Sequence, residues 1–553
     1  MNKGFYSLLL TLFLLSFTQS ASAQGWGDYE DLRYRKWRVT LFPPLSTNGI
    51  AAKDYTARYS INLLAGYHGG LDGIEYGTLF NYTRKYARGF QLAGLANVSG
   101  GSLEGINIAG LGNVASGSIS GIQVSGLGNI SKGSLDGIQA AGLLNYSGRS
   151  ISGIQLAGAA NVANRDLSGL QSTFGVNYAT ESISGIQAAG IANVGRENLE
   201  GIQFSSVFNA AGGDVSGIQV SGLFNYGYRL EGIQTAAGVN IAREDLNGIQ
   251  FAGIGNFNKG ESNGIQFASG INYAGGNTNG IQLSNGINIS SREFNGIQMA
   301  GIWKVSGRLW DRFDLEEVGD VFDTRYNIGL NVARYVNGIQ LGGINITKEI
   351  NGLQVGLINL GENIEGAPVG LISLYKNGRH NVDVRFSDAG FTDVGLNLGT
   401  HRVYNMVFFG FNPLLEDVYR VGWSIGVERR FDDIFYNANN ADDLFIDQEF
   451  SITHQFTDEL DGGLDFIFSY KYLFGKYFGE NFAIYGGPSL NAQITRNPEA
   501  NEYTWYSIWS PDRNGRQYRF WIGATVGIRF FKQKRLETFN TRDWNFSDEW
   551  DID

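Results

Sequence analysis

From Gly73 the chain repeats a pattern of apolar and polar positions with a period of 16 residues. Units open at 73, 89, 105, 121, 137, 153, 169, 185, 201, 217, 232, 248, 264 and 280, and the one at Gly217 is a residue shorter. GINIAGLGNVASGSIS (105–120) and GIQVSGLGNISKGSLD (121–136) are typical. The first position is always Gly and the ninth always Asn; the third is Gln except at Glu75 and Asn107. The second position is Ile, Leu or Phe, the tenth is apolar or Tyr, and the next-to-last is mostly Leu, Ile or Val. The unit is too short to hold a helix in every copy, and its apolar columns do not follow a 3.6-residue period. An all-β repeat follows.

The identical columns choose between two folds. In a β-solenoid each unit is one coil, stacked at about 4.8 Å, so equivalent residues lie above one another and side-chain amides can bond along a ladder. Strands of an antiparallel barrel would have no reason to repeat one residue at one place, nor do these connections alternate short and long. The pattern predicts a solenoid over 73–302, its three apolar columns forming three short faces of a coil. Fourteen coils would make a rod of roughly 65–70 Å. The invariant Gly suits a corner or a close approach of backbones. The Asn column is the candidate structural ladder: Asn97, Asn113, Asn129, Asn145, Asn161, Asn177, Asn193, Asn209, Asn225, Asn240, Asn256, Asn272 and Asn288.

After Trp303 the pattern breaks, and an acidic stretch at 311–323 lies in a connecting segment assigned to 303–337. The repeat resumes over 338–378 with a 14-residue period, as in GIQLGGINITKEIN (338–351). From 379 to 535 the alternation lengthens to a period of two. Phe466, Phe468, Tyr470 and Tyr472 oppose Asp465, Ser469 and Lys471; Phe520, Ile522, Val526, Ile528 and Phe530 oppose Arg519, Gly523, Thr525 and Arg529. Strands of about ten residues with an aromatic-rich face predict an outer-membrane-type antiparallel β-barrel; a β-sandwich is the alternative, with the apolar face inward. Residues 24–72 alternate similarly (Trp37, Val39, Leu41; Tyr59, Ile61, Leu63), which predicts N-terminal strands packing with the C-terminal β domain, for ten to twelve strands in all. Small residues at Gly395, Asn397, Gly399, Gly422, Ser424 and Gly426 suggest a narrow or packed barrel interior. Residues 536–553 form a polar tail.

The first 23 residues place this architecture. Lys3, the apolar run Leu8–Phe17 and Ala21-Ser-Ala23 fit a cleaved signal peptide, with a run too short for a membrane helix. The chain has no cysteine, which excludes disulfides, thiolate chemistry and a lipoprotein anchor. Beyond Lys3, 41 basic and 53 acidic residues remain, a formal net charge of −12 that disfavours nucleic acid as a partner. Glycine is about 14% of the chain against 7 prolines, which excludes collagen-like and proline-rich disordered chains.

The G-[IL]-Q-x-x-G-x-x-N units, Pro368–His380, Ile484–Leu490 and Gly523–Phe531 together resemble Gram-negative surface repeat-containing proteins, with GLQxGLxN-type repeats and a β-rich C-terminal region. The resemblance covers most of the mature chain. It implies an outer-membrane or cell-surface location and brings no catalytic residues with it.

Chemistry is sparse. The four histidines are dispersed, and no Walker loop, nucleophile elbow or zinc-ligand pair is present. Asp136, Asp166, Glu200 and Asp245 sit at the variable end of their units, as solvated turn residues. The expectation is a non-enzymatic surface module for structure, binding or adhesion, without cofactor. Its partners would be outer-membrane lipid and a surface glycan or protein. The alternative is an outer-membrane channel with the solenoid as plug or extension.

Overall fold

A computed structural model describes residues 32–301, 329–415, 417–431, 443–457, 465–479, 481–496, 506–513 and 515–531. The expected signal peptide, the acidic stretch at 311–323 and the polar tail lie outside the described residues. The fold is all-β: a β-solenoid of about 18 turns and a closed, eight-stranded antiparallel barrel. The chain divides into two compact units at Gly195 and Arg196. The first is built from coils alone; the second carries further coils and the barrel.

A coil has two strands rather than three faces. Leu135–Ala141 and Leu144–Ser147 are one example, with a tight turn between them and a longer turn before the next coil. Each strand pairs in parallel with its equivalents one repeat away, residue for residue: Gln139 lies opposite Gln123 and Gln155, and Asn145 opposite Asn129 and Asn161. This register explains the constant columns. Gly137 has φ 140°, and a Cβ there would lie 2.0 Å from the carbonyl oxygen of Gly121, so backbone conformation and space both demand glycine.

Within a strand, neighbouring residues point to opposite sides. The third and ninth columns therefore cannot share a side with the second and tenth. The structure turns the amides inward: Gln139, Gln155, Asn145 and Asn161 are fully buried, whereas Ile138, Ile154, Tyr146 and Val162 are only half-buried. Of the three apolar columns only the next-to-last is core, with Leu135, Ile151, Leu167 and Ile183 buried to 0–1% exposure.

Residues 33–77 correct the assignment of 24–72 to the C-terminal β domain. Arg33–Phe42 pairs in parallel with Tyr55–Asn62, which pairs with Ala65–Gly77, so this segment forms the first coils of the solenoid. Trp37, Val39 and Leu41 point outward, while Arg38 and Thr40 point into the coil. The alternation was real, but period two does not distinguish parallel coils from antiparallel barrel strands.

In the second unit, Leu330–Leu341 pairs with Ile287–Ala300, placing 330–337 in the solenoid and not in a connection. The 14-residue units continue the same sheet, with Ile344–Val355 paired to Leu330–Leu341. Each turn of these coils is one residue shorter, so seven residues separate Gly338 from Asn345 where eight separate Gly280 from Asn288.

The barrel strands are β1 (Arg379–Ser387), β2 (Thr392–Gly399), β3 (Val403–Phe411), β4 (Val418–Arg430), β5 (Leu444–Thr457), β6 (Asp465–Phe478), β7 (Phe482–Thr495) and β8 (Arg516–Phe530). Each pairs antiparallel with the next, and β1 pairs with β8 to close the ring. The count is eight, not ten to twelve, because the N-terminal strands belong to the solenoid. Closure leaves no second sheet, so a sandwich is excluded.

Candidate functional site

Two polar systems stand out: the amide columns of the solenoid and the side chains inside the barrel. Each asparagine donates from Nδ2 to Oδ1 of the asparagine one coil further on, at 3.0 Å for Asn145 to Asn161 and for Asn161 to Asn177. The same nitrogen donates its second hydrogen to a backbone carbonyl of that coil, Ser172 for Asn161 at 2.8 Å. The glutamines run in the opposite direction. Gln155 Nε2 donates to Gln139 Oε1 and Gln171 Nε2 to Gln155 Oε1, both at 2.8 Å. The two ladders thus carry opposed dipoles through the core, each amide bonding directly to its neighbours in the column.

In the first unit the asparagine ladder runs from Asn62 through Asn81, Asn97, Asn113, Asn129, Asn145, Asn161 and Asn177 to Asn193. In the second it runs from Asn209 through Asn225, Asn240, Asn256, Asn272 and Asn288, then across to Asn331, Asn345 and Asn359. Every residue singled out from the sequence lies in this buried column. The glutamine ladder was missed as a ladder, although its column is nearly as constant. In the first unit the ladder is broken at Asn107: this residue reaches Gln91 Oε1 at 2.9 Å, but it is one methylene short, and Gln123 Nε2 is buried without a hydrogen-bond partner.

The first coils replace the glutamine column with Arg38, Ser60 and Glu75. The Glu75 carboxylate accepts from Ser60, Asn62, His68 and Gln91 at 2.7–3.1 Å. Both ring nitrogens of His68 lie 2.7 Å from an oxygen, Glu75 Oε1 for Nε2 and the Gly70 carbonyl for Nδ1. Burial opposes charge on Glu75, but His68, Gln91 and Arg38 together outweigh it and hold the carboxyl down to about 2. Burial lowers Arg38 to about 10 against the pull of Glu75; its Nη2 bonds Thr40 Oγ1 at 2.8 Å.

At the other end, the asparagine ladder passes from Asn359 to Ser373 Oγ at 3.2 Å, and Tyr375 donates its hydroxyl to Gln354. Asn405 of β3 then caps the last coil, donating to the Pro368 carbonyl at 2.7 Å and accepting from Gly370 N at 3.1 Å. Trp423 Nε1 on β4 donates to the Gly370 carbonyl at 2.7 Å. The coil edge, which would otherwise expose unpaired backbone, is closed by barrel side chains.

Inside the barrel, Arg379, Arg385, Lys471 and Arg529 face Asp383, Glu428, Asp447 and Glu449. Arg529 on β8 reaches Glu428 on β4 at 2.8 Å, and Arg385 on β1 holds Glu449 on β5 in a bidentate pair at 2.6 and 2.7 Å. In a ring of eight, β4 and β8 are opposite, as are β1 and β5. Both ion pairs therefore cross the lumen. Tyr404 and Tyr485 add hydroxyls to the same carboxylates, and three rings, Tyr404, Phe445 and Tyr485, surround the Arg529 guanidinium at 5.1–5.5 Å. The small residues expected on the inner faces are there to admit these rings: a Cβ at Gly426 would lie 2.2 Å from the Tyr404 ring, and one at Gly422 2.2 Å from that of Phe408.

Around the outside, Phe386, Leu396, Phe409, Tyr470, Phe474, Leu490, Ile522 and Val526 are 45–58% exposed. The barrel thus has a charged, filled interior and an apolar exterior. In comparisons with known proteins, no family model, curated protein or solved structure matches the chain. Among the described residues no cluster of three or more His, Cys, Asp or Glu side chains is arranged to hold a metal ion.

Proposed function

We propose that the chain is an outer-membrane-anchored surface repeat protein, exported by its signal peptide, in which the barrel is the anchor and the solenoid a structural or binding module without catalysis. The carrying observation is the pair of ion bridges, Arg529–Glu428 and Arg385–Glu449, across the lumen of a barrel whose outer face is apolar. An eight-stranded barrel is just wide enough to be filled by its own side chains. Fully buried bridges leave no aqueous path at their level, and this favours an anchor over a channel. A surface glycan or a protein is the class of partner that an exported repeat array would meet.

The test is reconstitution in planar bilayers together with gel migration. The purified protein is expected to fractionate with outer membranes, to migrate differently before and after boiling, and to give no single-channel conductance. Steady conductance steps from the unmodified protein would replace the anchor by the channel reading. Recovery in the soluble periplasmic fraction without detergent would remove both.

A further inference from the structure

The outer surface of the coils has a segregation that the anchor reading does not use. In the twelve units from 105 to 295, every charged residue occupies the twelfth to fourteenth or the last position. Positions 2, 4, 7, 8 and 10, whose side chains point outward, carry none. Apart from Ser172 and Thr235, those columns hold apolar residues, tyrosine or glycine on both strands and on the tight turn that joins them. In the first unit Leu127, Leu143 and Ile191 on the turn are 48–52% exposed, and Val124, Leu156 and Ile186 on the long strand about 40%. The second unit repeats this with Leu223 and Ile254 at 59% and 62%, and Phe204, Phe251 and Phe267 above 40%. A typical monomer exposes no contiguous apolar patch beyond a few hundred Å²; here the patch renews itself with every coil.

We infer that this flank of the solenoid is a lipid-contact surface, with the coils set edge-on into the acyl region of a bilayer, the Leu127–Leu143 turn deepest and the charged turn in water. The inference rests on the reading of the barrel as a membrane anchor. Two observations select lipid over a protein partner. The apolar surface wraps two opposite faces and the edge between them, which a fluid phase covers and a rigid partner covers only by encirclement. Finally, in the second unit the last coil exposes Leu371, Ile372 and Leu374 and is bonded to β3 and β4, whose Val407, Phe409 and Val421 continue an apolar exterior. The dimensions agree, since four residues of strand span about 13 Å and one hydrocarbon leaflet about 15 Å.

The absence of cysteine permits a direct test. Full mature chains carrying Leu143→Cys, Leu223→Cys, Arg149→Cys or Val407→Cys would be labelled with an environment-sensitive fluorophore and reconstituted in phosphatidylcholine vesicles. Labels at 143 and 223 are expected to emit to the blue of the label at 149. Nitroxide-bearing acyl chains should quench them several-fold more, and aqueous iodide several-fold less. Iodide quenching at 143 and 223 as strong as at 149 overturns the inference. So does a blue shift without nitroxide quenching but with energy transfer between copies, which would assign the flank to a second copy of the chain. The label at 407 separates the two readings. Nitroxide quenching at 407 but not at 143 and 223 ends this inference and leaves the anchor standing, whereas none at 407 ends the anchor reading.

Discussion

At the residue scale, the two amide columns make the interior of the coil specific. A buried amide left without its partner costs on the order of 1–3 kcal/mol. Asn161 feeds Asn177 and the Ser172 carbonyl and receives Asn145; Gln155 links Gln139 and Gln171. Asn161→Ala and Gln155→Ala are therefore both expected to lower stability by about that amount in denaturant titrations. Asn107→Gln should raise it by about 1 kcal/mol, because the longer side chain lets Gln123 Nε2 find its acceptor. An unchanged midpoint for Asn107→Gln would mean that the break is satisfied in another way. Glu75 gives a pH signature. Its carboxyl is held below the ordinary 4.5, at about 2, so its contribution to stability is complete above about pH 4.5 and is lost as pH falls through about 2. Fluorescence of Trp37 in the first coil should report loosening across that window, and Glu75→Gln should flatten the transition.

At the element scale, one coil is the unit of construction. Its strands contact chiefly the coils on either side, in parallel register, so removing a whole repeat restores every column. Deletion of 121–136 is expected to leave a folded protein of unchanged β content by circular dichroism. It would also bring Asn107 to Gln139 in place of Gln123, keeping the break in the glutamine ladder. Deletion of eight residues within that span should abolish folding by setting the asparagine column against the glycine column and the buried next-to-last column against the exposed turn position; equal tolerance of both deletions would show that the period is not structural. The repeat, its register and the asparagine column were legible because in-register stacking writes identical residues into identical positions. The direction in which each column points was not. Strict alternation defines two sides, and hydrophobicity would place Ile138 inside and Gln139 outside; the structure does the reverse because a glutamine can bond the glutamines above and below it.

At the scale of the whole molecule, both β architectures and the switch from period 16 to period two are properties of the local pattern, which the sequence determined by itself. So was the confinement of charge to one edge of the coil, visible once the units are aligned. The tertiary structure alone decided that residues 33–77 begin the solenoid, because the pairing partner of an alternating strand is a nonlocal choice. It alone decided that eight strands close, since closure depends on β1 meeting β8, with Val382 opposite Phe530 and Ser387 opposite Thr525. And it alone brought Arg529 to Glu428 and Arg385 to Glu449: residues 101 and 64 positions apart become neighbours only when a ring of eight sets their strands on opposite sides of a lumen that long side chains can cross.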